Sequence, residues 1–171
     1  GTAGRECWRR CTSRPLEERR WDFVVRSHDM KTIVVSGAHS NVGKTKLARR
    51  LCGLLPGALH VKIGHGEEKK GMDNLFFHVG TPFPVIEKEI RHARYAVIES
   101  NRVLDELGPD CVIYLPGESP KPTAAGARER ADIVRGEPVA RETIDDLAGR
   151  LGLDEAKVLE IIAYAGAVPE G

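Results

Sequence analysis

The chain has 171 residues, 41% hydrophobic and 30% charged, with a formal net charge of +1. That length suits one domain with a sizeable core, and the composition is that of a globular protein. The charge balance gives no overall field for nucleic acid or an anionic membrane, and no apolar run reaches the roughly 20 residues of a membrane span.

Residues 1–29 contain seven arginines and no lysine, with little apolar periodicity. They are expected to be an extension, disordered or non-native, with the domain beginning at Met30. Cys7 and Cys11 could form half of a metal site, but no second ligand pair accompanies them. The four cysteines show no framework spacing. They predict free thiols, a reducing compartment and a cytoplasmic protein, and the start of the chain lacks the apolar core of a secretory signal.

From Lys31 to Leu51 the sequence reads KTIVVSGAHSNVGKTKLARRL. The β-branched run Thr32-Ile33-Val34-Val35 predicts a buried parallel strand, and Leu47 and Leu51 share one face of a following helix. Between them Gly37 to Thr45 spells G-x-x-x-x-G-K-T. The glycines permit backbone shapes and close approach that a Cβ obstructs. Gly37, Ser40, Asn41, Val42, Gly43, Lys44 and Thr45 are the expected phosphate-binding residues. Their N–H groups would converge at a helix N-terminus, where an anion is favoured. Lys44 would reach the β- and γ-phosphates, and the Thr45 hydroxyl would ligate Mg²⁺.

Pro56-Gly57 ends that helix, and Ala58–Ile63 predicts a second strand. The polar loop at 64–74 is long enough to suggest function. Lys62, His65 and Asp73 are expected near the phosphate site. Residues 75–84 hold three of the four phenylalanines and two prolines, which predicts an irregular, partly apolar surface element. Such an element can wall a pocket or join two copies of the chain as a homodimer. A short helix over 85–93, a strand over 94–99 and a second helical segment over 103–107 follow.

Glu99 ends its strand beside the phosphate loop, where a carboxylate can hold Mg²⁺ or orient an attacking group. Asp110 precedes the next strand, 111–115, and lies at the wrong end for that task. The loop at 116–123 is a common place for base contacts, yet N-K-x-D, the usual guanine-reading motif, is absent. GTP and ATP therefore both stand. Residues 124–130 suggest a helical turn or two, and 131–134 a final short strand. From Glu142 two helices follow in which Ile144, Leu147 and Leu151, then Val158, Leu159, Ile161 and Ile162, supply apolar faces. Their acidic balance argues for a packing hairpin and against DNA reading. The whole predicts an α/β domain with a mostly parallel sheet of the P-loop NTPase type over 30–140, and a C-terminal helical hairpin over 141–171 packed on it.

The segment 31–101 resembles the MobB family, P-loop proteins that assist molybdopterin guanine dinucleotide synthesis. The likeness rests on the early P-loop, on Lys62-x-x-His65 after the second strand, and on an acid and a small residue ending the third. That family usually has Glu-Gly where this chain has Glu99-Ser100. The loop is also similar to that of dethiobiotin synthetase and the cobyrinate amidating enzymes, sharing Val42-Gly43-Lys44-Thr45. The first resemblance implies a GTP- or ATP-binding protein with slow hydrolysis that partners a molybdenum-cofactor nucleotidyltransferase. Lys44, Lys62, His65 and Glu99 would be its catalytic residues, with Thr45 and Glu99 on the metal. Arg102 is a candidate arginine finger. The second implies an ATP-dependent small-molecule ligase or kinase. A regulatory, nucleotide-dependent binding protein is a third reading.

Overall fold

The β-branched run after Met30 forms β1 (Lys31–Gly37), buried from Thr32 onward. It sits near the centre of a seven-stranded sheet in the computed structural model, which describes residues 30–171. Residues 1–29, with the expected extension and the Cys7/Cys11 pair, lie outside the described residues. The other strands of this sheet are β2 (Ala58–Gly64), β3 (Lys69–Lys70), β4 (Asn74–His78), β5 (Tyr95–Glu99), β6 (Cys111–Leu115) and β7 (Ile133–Val134). Their order is β3-β4-β2-β5-β1-β6-β7, parallel throughout except where β3 runs antiparallel to β4.

The helices are α1 (Lys44–Leu54), α2 (Phe83–Ile90), α3 (Pro122–Glu129), α4 (Arg141–Leu151) and α5 (Glu155–Ala165). They cover both faces of the sheet, as expected of parallel strands with no solvated side. Because side chains alternate along a strand, Ile33 and Val35 of β1 point one way and Val34 the other. On the first face they meet Leu47 and Leu51 of α1, Ile144 and Leu147 of α4, and Ile161 and Ile162 of α5. On the second, Val34 lies in a cluster with Ile86 and Ile90 of α2 and Ala124 and Ala127 of α3. Each of these Val, Leu and Ile side chains contributes about 1.5–3 kcal/mol on full burial. Short strands β8 (Pro138–Val139) and β9 (Val168–Pro169) pair in parallel beside the main sheet. Among the described residues Cys52 and Cys111 are free, and no helix is long and apolar enough to cross a membrane.

Two sequence expectations need correction. Residues 74–78 are not irregular. They form β4, hydrogen-bonded to β2 with Phe76 opposite Lys62. Pro82 and Pro84 lie beyond the strand, at the N-cap and first turn of α2, where a missing N–H costs nothing. The segment expected as a helix over 103–107 is a single 3₁₀ turn, Arg102–Asp105.

Candidate functional site

Parallel strands deliver their carboxyl ends to one rim, and this rim gathers the chemistry-bearing residues. The loop that leaves β1 begins at Gly37, where a Cβ would come within 2.5 Å of Val42 Cγ1 and 3.1 Å of the Leu115 carbonyl oxygen. Only glycine fits there. Asn101 holds the same residue from both sides. Its Oδ1 accepts from Gly37 N–H at 3.0 Å and its Nδ2 donates to the Gly37 carbonyl at 2.9 Å. At the far end of the loop Gly43 caps α1 with φ of 101°, a left-handed value that a side chain resists. Successive N–H groups at the start of α1 have no intrahelical partners, which makes them ready donors to an anion.

Lys44 follows, its Nζ donating to the His39 carbonyl at 2.6 Å. Burial pulls its pKa below the ordinary lysine value, and the positive charges of Lys121 and Lys62 add to that, while Glu99 opposes it. Thr45 donates its hydroxyl to Glu99 Oε1 at 2.6 Å. Glu99 is the hub of the site and is only 3% exposed. Register explains its company, since it lies beside Val35 of β1 on one flank and Lys62 of β2 on the other. Lys62 Nζ stands 3.4 Å from Glu99 Oε1 and donates to Thr45 Oγ1 at 3.3 Å. On the other oxygen, Oε2, His60 Nε2 sits at 3.1 Å, with His60 Nδ1 facing Asn74 Oδ1 at 3.0 Å. An ionised carboxylate only accepts, so Nε2 carries the proton. Burial pushes the Glu99 pKa up, but the hydrogen bonds from His60 and Thr45 and the Lys62 charge outweigh it. The net shift is downward, and Glu99 is ionised at neutral pH.

These residues border a cleft of about 330 Å³. Of the residues expected from sequence, Ser40, Lys44, Lys62, His65 and Glu99 line it, and Thr45 reaches it through Glu99. Arg102 lines it too, along with His39, Phe76 and Lys121, the last donating to Ser40 Oγ at 3.1 Å. Several cations around one buried carboxylate favour an anionic ligand. Asp110 sits at the opposite ends of the strands, where its Oδ2 accepts from Thr32 N–H at 2.8 Å. Asp73 does not join the site as expected. It precedes β4, and its carbonyl accepts from His60 N–H at the other end of that strand. The irregular reading of residues 75–84 hid this, because it gave Asp73 no strand to precede.

His60, Asn101, Lys121 and Arg135 were not singled out from sequence. His60 left a usable signal, since His60 and Lys62 occupy alternate positions of one strand and so share the face that meets Glu99. Asn101 and Arg135 left none, because their contacts are to backbone far away in sequence, at Gly37 and at Val42. Among the described residues no group of three or more His, Cys, Asp or Glu side chains could hold a metal by itself. The chain matches no protein-family model, curated protein or solved structure.

Proposed function

We propose that the chain is a nucleotide-binding protein of the P-loop NTPase type that takes GTP or ATP with Mg²⁺ and hydrolyses it slowly. One observation carries the reading. Thr45, the last residue of G-x-x-x-x-G-K-T, is hydrogen-bonded to a buried, ionised Glu99 that ends the neighbouring strand, with Lys62 against both. Thr45 Oγ1 and Glu99 are hard oxygen donors side by side, which fits Mg²⁺, an ion that completes its shell with phosphate and water. When bound, Mg²⁺ supplies charge neutralisation on the phosphates. Lys44 and the loop N–H groups would hold the phosphates, and Lys62 and His65, which line the same cleft, would add positive charge and a hydrogen-bonding group beside them. Residues 30–140 carry this chemistry, and 141–171 form a helical hairpin packed on it.

The resemblance to the MobB family supports a cytoplasmic role beside a molybdenum-cofactor nucleotidyltransferase, with a homodimer as one arrangement. A second reading has its own support. The cleft runs past Lys44 to His65, Phe76 and Val79, a mixed wall that suits an organic acceptor and hence an ATP-dependent ligase or kinase of the dethiobiotin synthetase-like class. Turnover that requires a small-molecule acceptor favours the second reading, and slow acceptor-free turnover the first. The shared core of both is tested with Thr45→Ala. Nucleotide affinity in this variant should lose most of its dependence on added Mg²⁺ in calorimetric titration. Unchanged Mg²⁺ dependence would remove Thr45 from the metal.

A further inference from the structure

We propose that Arg135 is a positioning residue for the glycine-rich loop and that the last helix is its anchor. The inference rests on the phosphate-binding reading of that loop. Arg135 follows β7, where its backbone N–H donates to the Tyr114 carbonyl at 3.1 Å. Its side chain then joins two distant elements. Nε donates to the Ala165 carbonyl at the end of α5, at 3.1 Å, and Nη1 donates to the Val42 carbonyl in the loop, at 3.2 Å.

The second contact bears on phosphate binding through the geometry of one peptide. In a trans peptide the carbonyl and the next N–H point to opposite sides. Arg135 is not among the residues that line the cleft. Holding the Val42 carbonyl toward Arg135 therefore turns the Gly43 N–H away from Arg135 and fixes the peptide that precedes Lys44, which does line the cleft. The left-handed φ of 101° at Gly43 leaves that peptide without the restraint a side chain would impose, so an external tether has something to fix.

The anchor is itself well held. Gly166 ends α5 with φ of 78°, and a Cβ there would stand 3.3 Å from Arg135 Cγ and 3.4 Å from Nε. Glycine lets the guanidinium approach the helix end, where a cation is also favoured by the dipole. Gly136 N–H donates to the Gly166 carbonyl at 2.9 Å. The same helix grips α1, the helix that starts at the loop, because the Arg50 guanidinium lies 4.2 Å from the centroid of the Tyr164 ring. Helix α5 thus braces both the loop and the helix after it. Arginine suits the post because its rigid fork serves two carbonyls from two separate nitrogens, whereas a lysine carries its three donors on one nitrogen at the end of a flexible stem.

The test uses the full chain with Arg135→Ala and Arg135→Lys. Three quantities are read: Mg-ATP and Mg-GTP affinity, thermal midpoint, and the carbonyl ¹³C resonance of Val42. Both variants should bind nucleotide about tenfold more weakly, equivalent to about 1.4 kcal/mol, and in both the Val42 resonance should move. Wild-type affinity in both variants, or a lowered Tm with unchanged Kd, would reduce Arg135 to a helix cap and overturn the proposal. Loss in Arg135→Ala with full affinity in Arg135→Lys would make it a matter of charge and overturn it equally. If Arg135→Ala does not fold, Arg135→Lys decides. If the wild type binds neither nucleotide, the functional reading fails separately, and an unmoved Val42 resonance in the variants would then sink the tether itself.

Discussion

Glu99 concentrates the electrostatics of the rim into one side chain. A carboxylate 3% exposed survives ionised only because His60, Thr45 and Lys62 surround it, and removing its charge leaves those donors facing a neutral amide. Glu99→Gln should reduce hydrolysis strongly while leaving nucleotide binding nearly intact. Binding and turnover falling together would mean that the acid is structural. The pH dependence has a definite sign. Because the folded pKa of Glu99 is lowered, its contribution to stability is full above the unfolded value of about 4.3. It is lost as pH falls through the folded value. Urea unfolding at neutral pH and in acid should therefore show a smaller acid loss for Glu99→Gln than for the wild type. Identical losses would mean that Glu99 has no special pKa. How much of this was legible varied by residue. Glu99 and Lys44 could be found because strand end and motif spacing place them, while His60 and Asn101 became visible only once strand register set their neighbours.

Strand β4 is where local reading failed, for a physical reason. Two prolines close behind an apolar run look like an argument against a strand, yet Pro82 and Pro84 belong to the start of the next helix. Pairing with β2 turns Leu75-Phe76-Phe77 into part of the sheet and puts Phe77 in the core at 2% exposure. Phe77→Ala should then cost about 3–5 kcal/mol, the range for a buried phenylalanine, measured by urea denaturation. A cost under about 0.5 kcal/mol, as at an exposed site, would restore the irregular surface element. By contrast β1, β5 and β6 were evident from their continuous apolar runs, the mark of strands covered on both faces, while in β2 the polar His60 and Lys62 alternate with Leu59, Val61 and Ile63. Of the four two-residue strands, β3, β8 and β9 carry no such local mark, since each exists only through its partner.

The C-terminal helices share one core with the central strand β1 and with α1. Ile144 and Leu147 of α4 and Ile161 and Ile162 of α5 pack in the same cluster as Ile33, Val35, Leu47 and Leu51 of β1 and α1. Ile162→Ala should therefore lower the stability of the entire domain by about 2–5 kcal/mol, in a single transition seen alike by helix content and by Trp-independent probes such as tyrosine fluorescence. Two separate transitions would show that residues 141–171 unfold on their own. The alternation of strands and helices made this architecture readable in outline. The attachment of α5 to the loop through Arg135 was not, because nothing in the local sequence says which carbonyls a guanidinium will find.

A nucleoside triphosphate held by the rim built from Gly37 to Thr45, Lys62 and Glu99 would depend on the Lys44 ammonium. Calorimetric titration of Mg-ATP and Mg-GTP into the wild type and Lys44→Ala should show saturable binding of at least one nucleotide by the wild type. Lys44→Ala should bind it at least about tenfold more weakly, a difference of about 1.4 kcal/mol. Undiminished affinity in Lys44→Ala, or no binding of either nucleotide by the wild type, would contradict nucleotide binding at this rim.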